Sequence, residues 1–288
     1  MVPQNDLTVI VNTGDDMEFY GLHISPDLDI IMYTLAGIVD DEKGWGLKDD
    51  TFYCLEFLRK YGYETWFNLG DRDIATHIHR TMLLNDELTL SEVTNSLSYK
   101  LGVKARILPM TNNKFSTKIQ TDEGTMHFEE YFVKKNCMGK VLNVFLEGTD
   151  VAQPAPGVVE SILASELVII CPSNPIVSIG TILSVKGVRD ALKRTKGKVV
   201  AISPIVGGRA IKGPADKLMS GLGLEVSAFS VAKLYMDFVD VFIIDKVDQA
   251  EKERIEALGL KVIVTNTIMK TLYDKIRLAK LALESVNL

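Results

Sequence analysis

The chain has 288 residues, 47% of them hydrophobic, and its 32 Lys and Arg against 38 Asp and Glu give a formal net charge of −6. This length and apolar fraction support one large domain with a substantial core, which excludes disordered and collagen-like chains. The acidic balance, without a block of basic residues, argues against sequence-independent binding to duplex nucleic acid. No apolar run reaches the roughly 20 residues of a membrane span, and the N-terminus lacks a signal-peptide pattern, so we expect a cytoplasmic protein.

Short β-branched runs alternate with helical stretches along the chain, a pattern typical of a mainly parallel sheet with helices on both faces. Five runs fit buried strands, at residues 8–12, 167–171, 198–203, 241–245 and 261–265. Helices are predicted near residues 188–195, 215–221, 231–238, 249–258 and 271–285. We therefore predict a single Rossmann-like α/β domain over residues 1–288.

Two segments interrupt this alternation. Residues 51–101 are almost entirely helical in pattern and end at Gly102, so we predict a helical insertion within the domain. Residues 115–132 predict a β-hairpin that turns at Asp122, Glu123 and Gly124. We expect this hairpin at the edge of the sheet.

Small and polar residues follow the ends of several predicted strands, at residues 13–16, 172–175 and 204–208. In open parallel sheets, ligands bind beyond the carboxyl ends of the strands, where backbone amides point outward. Each segment alone is as consistent with an ordinary turn as with a site, but together they indicate a pocket for a phosphate-bearing ligand. The residues that we assign to nucleotide or phosphate binding are Ser173, Asn174, Pro175, Ser178, Gly207, Gly208, Lys212 and Lys217.

The segment Ser25-Pro26-Asp27-Leu28-Asp29 predicts a helix start, with Ser25 as the N-cap and Pro26 in the first turn. Asp27 then complements the helix dipole by about 0.3–1 kcal/mol, and a metal-binding role is the alternative. Asp29 lies roughly 200° further around the helix, away from the apolar stripe of Leu28, Ile31, Met32 and Leu35. A free carboxylate in that position is a natural Mg²⁺ ligand or base.

A second polar segment runs from Asn68 to Arg80. If a helix begins at Asp71, one of its faces carries Asp73, Thr76, His77 and Arg80. This face is either a solvated set of ion pairs or part of a site, and spacing alone does not separate the two. His77 and His79 point to different sides of a helix, which disfavours a metal shared between them.

Six motifs in one order along nearly the whole chain resemble the 2-phospho-L-lactate transferase family, whose members build the deazaflavin coenzyme F-420. Several motifs are long, which makes the resemblance specific. They are S-P-D-L-D (25–29), G-W-G-L-K-D-D-T-F (44–52), L-G-D-R-D-x-A-T-H (69–77), I-L-P-M (107–110), C-P-S-N-P-x-x-S-I-G (171–180) and S-P-I-V-G-G-x-x-I-K-G-P-A-D-K-L-M (203–219).

The resemblance implies a Mg²⁺-dependent transferase, and it makes a homodimer plausible. A phospholactyl group, or phosphoenolpyruvyl in bacterial relatives, moves from lactyl-2-diphospho-5′-guanosine to the terminal ribityl hydroxyl of Fo, 7,8-didemethyl-8-hydroxy-5-deazariboflavin. GMP then leaves and coenzyme F-420-0 forms.

By position, Asp29 is the candidate catalytic residue, contacting Fo or the metal. Asn68 is a second Fo contact, at a position where relatives often carry a basic residue. The candidate metal ligands are Asp27, Asp29 and Asp71. The sequence does not show whether phospholactate or phosphoenolpyruvate is transferred.

The sequence departs from the family at its start. Family members normally open with a short strand and a G-G-T-G loop that cradles the diphosphate donor, whereas residues 8–12 match the family's second strand. We therefore expect this chain to bind GMP or the donor weakly, which calorimetry tests.

Other hypotheses stay open. One is a nucleotide- or nucleotide-sugar-binding regulator similar to the gluconeogenesis factor proteins, and another is a catalytically impaired paralogue. An NAD-dependent dehydrogenase is disfavoured because no dinucleotide-binding fingerprint is present. The aromatic residues Trp45, Phe52, Trp66 and Phe67 either form a wall for the flat deazaflavin or pack in the core.

Overall fold

The computed structural model describes residues 2–285, and its elements confirm the predicted alternation of strands and helices. The strands are β1 (Thr8–Val11), β2 (Met17–Phe19), β3 (Leu22–Ile24), β4 (Arg106–Pro109), β5 (Ser116–Thr121), β6 (Gly124–His127), β7 (Val141–Glu147), β8 (Leu167–Ile170), β9 (Lys198–Ile202), β10 (Ile205–Val206), β11 (Arg209–Ala210), β12 (Val241–Asp245) and β13 (Lys261–Thr265). The α-helices are α1 (Pro26–Ala36), α2 (Tyr53–Lys60), α3 (Asp71–Asn85), α4 (Leu90–Lys100), α5 (Val158–Ala164), α6 (Ile179–Ser184), α7 (Val188–Arg194), α8 (Ala215–Gly221), α9 (Ala228–Tyr235), α10 (Lys252–Glu256) and α11 (Leu272–Glu284).

The main sheet is parallel and has the strand order β13-β12-β9-β8. All five residues of β12 are buried, as expected for a central strand covered by helices on both faces. The predicted fold class, an α/β protein with parallel strands flanked by helices, is therefore confirmed.

The strand at residues 8–12 does not join this sheet. Among the described residues, β1 pairs only with β4, in parallel register from Thr8 opposite Arg106 to Val11 opposite Pro109. The predicted edge position of the 115–132 hairpin is also wrong. Strand β5 pairs with β6 on one side and with β7 on the other, in a separate antiparallel sheet, because β7, which the strand pattern did not single out, takes the open side of β5.

Local capping explains two differences in the helices. Helix α9 begins three residues before its predicted start because the Ser227 hydroxyl accepts a hydrogen bond from the Ser230 amide. The helix predicted at 249–258 is instead a 3-10 turn, Lys246–Glu251, followed by the short α10. Asp245 sets this earlier start, since its carboxylate accepts from the Val247 amide. Gly259 has φ +91° just before β13, as the sequence predicts for a residue that ends a helix.

Helices occupy much of the 51–101 segment, as α2, α3 and α4, and Gly102 follows α4 with φ +75°. Leu90, Val93 and Leu97 of α4 pack with Leu28 and Met32 of α1 in a core cluster that also contains residues of β1 and β4. A larger cluster lies around the main sheet. No helix in residues 2–285 is both long and apolar enough to cross a membrane.

Candidate functional site

The loop after β1 is buried and tightly packed. A Cβ added to Gly14 would lie 2.6 Å from both Thr117 Oγ1 and Thr181 Cγ2, so only glycine fits without a shift of its neighbours. The carbonyl of Gly14 accepts a hydrogen bond of 2.7 Å from the Thr117 amide. The loop is thus held between β5 and α6, and the side chains on either side of Gly14 have fixed positions.

Asn12 connects this loop to two other elements. Its Nδ2 lies 2.9 Å from Asp15 Oδ2, 3.0 Å from Asp27 Oδ2 and 3.3 Å from the Val177 carbonyl oxygen. Its Oδ1 accepts a hydrogen bond of 2.9 Å from the Gly14 amide. One buried amide therefore joins the end of β1, the first turn of α1 and the turn before α6.

Asp15 and Asp27 contact this amide, and the charges of Asp16 and Glu129 act on Asp15. We call these four carboxyl groups the acidic crevice. Burial, followed by the charges of Asp27 and Glu129, raises the pKa of Asp15 well above its usual range. Burial raises the pKa of Asp27 to about 6, although the hydrogen bond from Asn12 acts in the opposite direction. Burial, with the charges of Asp27 and Asp16, raises the pKa of Glu129 to about 8. Ionising these buried, neighbouring carboxyl groups therefore costs free energy.

Two oxygens of the crevice are buried without a hydrogen-bond partner among the described residues, Asp15 Oδ1 and Asp16 Oδ1. The other oxygen of Asp16 accepts from Ser25 Oγ at 2.7 Å and lies 3.1 Å from His23 Nε2. Buried polar atoms are normally paired, and hard oxygen ligands suit Mg²⁺. The crevice therefore offers two unpaired oxygens of the kind that Mg²⁺ prefers.

Asp29 belongs to a different cluster. The Arg80 guanidinium donates to both carboxylate oxygens of Asp29, through Nη1 to Oδ2 at 3.0 Å and through Nη2 to Oδ1. Nη1 also lies 3.1 Å from His77 Nδ1, and His77 Nε2 lies 3.4 Å from Asp73 Oδ1. The expectation of a free Asp29 carboxylate is wrong, because a buried cation already neutralises it.

The face of α3 that carries Asp73, His77 and Arg80 is buried, with side chains at most about a tenth exposed. The solvated alternative for this face is therefore wrong. It packs against α1, where Tyr33 donates a hydrogen bond of 2.8 Å to Asp73 Oδ1. The sequence pattern gave the shared face correctly, but burial depends on what packs over it.

Asp71 lies at the start of α3 and caps another helix. Its carboxylate accepts from the Thr51 hydroxyl at 2.6 Å and from the amides of Tyr53 and Cys54, at 3.1 and 2.9 Å. These hydrogen bonds, led by that from Thr51, lower its pKa. Asn68 is exposed just before Leu69. Neither residue has a described contact with the acidic crevice, so the metal role of Asp71 and the Fo contact of Asn68 stay predictions.

The loop after β8 contains Ser173, Asn174, Pro175 and Ser178. Asn174 organises it, since its Oδ1 accepts from the amides of Ile176 and Val177 and its carbonyl accepts from Ser178 and Ile179. The Val177 carbonyl in turn meets Asn12 Nδ2. This loop therefore borders the acidic crevice, as the strand-end rule predicts.

The contacts described for the loop after β9 are with residues outside the acidic crevice. Gly207 and Gly208, with φ +59° and +73°, form the two-residue turn of the β10-β11 hairpin. Lys217 Nζ donates to the Cys137 carbonyl at 2.8 Å. Lys212 is exposed, and a Cβ added to Gly44 would lie 3.3 Å from its Nζ. The nucleotide roles of these four residues stay predictions.

The four aromatic residues separate into two pairs. Trp45 and Phe52 have ring centroids 6.4 Å apart, and Trp66 and Phe67 have centroids 5.7 Å apart, with Phe19 beside both. Phe67 packs against a small core cluster, whereas Trp45 is 39% exposed. Neither single alternative, a continuous wall or a common core, describes all four.

Sequence reasoning did not single out Asn12, Asp15, Asp16 and Glu129 as site residues. Both aspartates lie in residues 13–16, a segment predicted to border the pocket because it follows a strand end. Asn12 ends the predicted strand, and Glu129 lies within the predicted 115–132 hairpin, so neither had a motif to mark it. Only the tertiary contacts bring the four together.

The fold and the site together define an α/β protein with a parallel main sheet, in which the loop after β1, the first turn of α1 and the residue Glu129 after β6 supply four interacting carboxyl groups. The chain belongs to the 2-phospho-L-lactate transferase CofD family, a family of transferases, because the model of that family matches residues 2–276.

Relatives with two different enzyme names are similar to this chain. The 2-phospho-L-lactate transferase of Methanosarcina mazei is 41% identical over 99% of this chain and 93% of its own length. The enzyme of the same name from Methanocaldococcus jannaschii is 44% identical over 99% and 91%. The phosphoenolpyruvate transferase of Kitasatospora aureofaciens is 40% identical over 98% and 89%.

A solved structure shows the same fold. The crystal structure of a UPF0052-family protein from Bacillus halodurans superposes with a TM-score of 0.60, over 95% of this chain and 90% of that chain. The sequence identity is 16%, so this likeness supports the architecture and nothing about activity.

Proposed function

We propose that this chain transfers a 2-phospholactyl or phosphoenolpyruvyl group from a guanosine diphosphate conjugate, lactyl-2-diphospho-5′-guanosine or its enol counterpart, to the terminal ribityl hydroxyl of Fo. The bond from phosphorus to the hydroxyl oxygen of Fo forms, and the bond from phosphorus to the bridging oxygen of GMP breaks. The products are coenzyme F-420-0, or its enol counterpart, and GMP. Family membership supports the reaction class, and the acidic crevice is the observation that carries the chemistry.

We assign Mg²⁺ to the acidic crevice, with Asp15, Asp16 and Asp27 as its ligands. This replaces Asp29 and Asp71 in the predicted metal set, because Arg80 already neutralises Asp29 and Asp71 caps α2. When bound, Mg²⁺ supplies charge withdrawal from the diphosphate. The unpaired oxygens of Asp15 and Asp16 support the assignment.

The residues of the chain supply positioning and a proton acceptor. In-line phosphoryl-type transfer depends mainly on the orientation of the reacting oxygens and on neutralisation of charge. Asn12 fixes the orientation of Asp15 and Asp27 from one amide group. We assign Glu129, 6% exposed at the crevice, to receive the proton of the acceptor hydroxyl in its ionised form, which a cation bound nearby would favour. GMP leaves as a stabilised anion, so its departure needs little acid assistance.

The test is an assay with Fo, Mg²⁺ and each of the two donors, followed by mass spectrometry of the product. We expect GMP and one coenzyme F-420-0 species to form in equal amounts, and EDTA to stop the reaction. Asp27→Asn should lower turnover on the order of 100-fold or more, and Asp237→Asn, which alters a surface ion pair, is the control. Binding of Fo without product from either donor would contradict the proposal and favour the impaired-paralogue hypothesis.

The remaining alternatives are separated by ligand. A nucleotide-binding regulator would bind the guanosine nucleotide without consuming it in the presence of Fo. The fold likeness does not favour this alternative, because folds of this kind serve many functions. The homodimer also stays a prediction, which sedimentation of the purified chain tests.

A further inference from the structure

Arg80 is fully buried and contacts two polar side chains, Asp29 of α1 and His77 of α3. It is 1% exposed and donates to both oxygens of Asp29. A planar guanidinium that meets a carboxylate through two nitrogens fixes the orientation of both groups, which an ammonium does not do. Arg80 therefore determines how the Asp29 side chain lies in the interior.

The same guanidinium selects the ring tautomer of His77. Arginine has no acceptor atom, so His77 Nδ1, 3.1 Å from Arg80 Nη1, is the acceptor of that contact. The ring proton is then on Nε2, which faces Asp73 Oδ1 at 3.4 Å. Tyr33 donates to the same oxygen. The network thus links two α1 residues, Asp29 and Tyr33, to three residues of α3.

The network also has the spacing of a metal site. One ligand atom from each of Asp29, Asp73 and His77 lies within 4.8 Å of the others. The cation that meets Asp29 and His77 in this structure is the Arg80 guanidinium. Because arginine stays protonated at every accessible pH, this internal cation is permanent and does not exchange with the solvent.

The network is joined to the acidic crevice through the first turn of α1. Asp27, a crevice residue, precedes Asp29 by two positions in the first turn of α1. That turn is held from the crevice side by the Asn12 contact with Asp27, and from the α3 side by the Arg80 contact with Asp29. Loss of the two-nitrogen contact would leave a buried carboxylate poorly paired, which favours movement of the turn toward water.

We propose that Arg80 is a positioning residue that sets the divalent-cation affinity of the acidic crevice by fixing the first turn of α1. This inference deepens the proposed function and rests on its metal site. It assigns Arg80 no contact with substrate and no contact with the metal ion.

The experiment compares Mn²⁺ binding, measured by electron paramagnetic resonance with the metal alone, in wild type, Arg80→Lys and Arg189→Lys. Arg80→Lys keeps the positive charge but loses the planar pair of nitrogens that meets both oxygens of Asp29. We expect this variant to remain folded and its Mn²⁺ dissociation constant to rise by about tenfold. Arg189→Lys is the matched control, because Arg189 also meets an aspartate, Asp237, through two nitrogens, but on the surface. It should bind Mn²⁺ as wild type does.

A second variant covers the case in which Arg80→Lys does not fold. Asp29→Asn combined with Arg80→Gln removes both charges and keeps hydrogen-bonding groups, so it should fold and show the same weakened Mn²⁺ binding. Unchanged Mn²⁺ affinity in both folded variants would overturn the proposal.

A transfer assay with Fo, run beside the Mn²⁺ measurement, separates a failure of the role of Arg80 from a failure of the proposed function. If Mn²⁺ binding depends on Arg80 but wild type transfers neither group to Fo, only the proposed function fails. If wild type transfers the group and the Arg80 variants bind Mn²⁺ normally, only the role of Arg80 fails. If wild type binds no Mn²⁺, both fail.

Discussion

Asp50 and Asp71 cap each other's helices. Asp50 precedes α2, and its carboxylate accepts from the amides of Arg72 and Asp73, at 3.0 and 3.2 Å, in the first turn of α3. Asp71 begins α3, and its carboxylate accepts from two amides of α2. A Cβ added to Gly70 would lie 2.1 Å from Asp50 Oδ2, so the exchange also needs a glycine at that position. The two long motifs around these residues are therefore structurally coupled.

This reciprocal capping predicts that Asp71 contributes to the stability of the fold and not to metal binding. Asp71→Ala removes the cap of α2 and should lower the free energy of unfolding by about 1 kcal/mol. Because hydrogen bonds lower the pKa of Asp71, its contribution is present above the unfolded pKa of about 4 and is lost as the pH falls. Urea denaturation at pH 7 measures the loss, and Mn²⁺ affinity equal to that of wild type is the expected control. A loss of Mn²⁺ binding without a loss of stability would restore Asp71 as a ligand.

Asp27 is expected to act on metal binding with little effect on the fold. Asp27→Asn keeps an oxygen that can accept from Asn12 Nδ2 and removes a carboxylate from the crevice. We expect the thermal stabilisation by Mg²⁺ to disappear and turnover to fall on the order of 10²-fold or more. Differential scanning fluorimetry with and without Mg²⁺ measures the first effect. Full Mg²⁺ stabilisation of the variant would exclude Asp27 as a ligand.

The acidic crevice predicts an unusual dependence of stability on pH. The pKa values of Asp27 and Glu129 are raised, to about 6 and about 8, so between pH 4 and these values the folded chain binds more protons than the unfolded chain. Stability in EDTA should therefore be full at the acid end of this range and fall as the pH rises toward 8. Glu129→Gln should flatten the upper part of the curve, and Mg²⁺ should flatten all of it. The melting temperature as a function of pH, with EDTA or Mg²⁺, measures both effects.

Asp29 is expected to behave as half of a buried ion pair. Asp29→Asn leaves the Arg80 charge without its carboxylate and should destabilise the chain by about 3 kcal/mol or more. The sequence resemblance instead predicts a strong loss of turnover with an intact fold. A double-mutant cycle with Arg80→Gln separates the two predictions, because a structural pair gives a double variant that loses less stability than the sum of the single variants. Additive losses would indicate that Asp29 and Arg80 act independently.

The sequence by itself determined the parallel strands of the main sheet, the start of α1 at Pro26, the start of α3 at Asp71 and the family. These features depend on local signals, namely β-branched runs, a proline in the first helical turn and long motifs, which are present before the chain folds. The shared face of Asp73, His77 and Arg80 was also predictable, because helical spacing fixes it.

Only the tertiary structure decided what those residues do. Asp29 and Asp27 are two residues apart, yet Arg80, 51 positions after Asp29, neutralises one, while Asn12 holds the other beside Asp15. Asp71 became a cap because Thr51 and the start of α2 lie against it. Burial and hydrogen-bond partners set the charge and pKa of a carboxyl group. Here they come from segments distant in sequence, so local sequence patterns do not predict them.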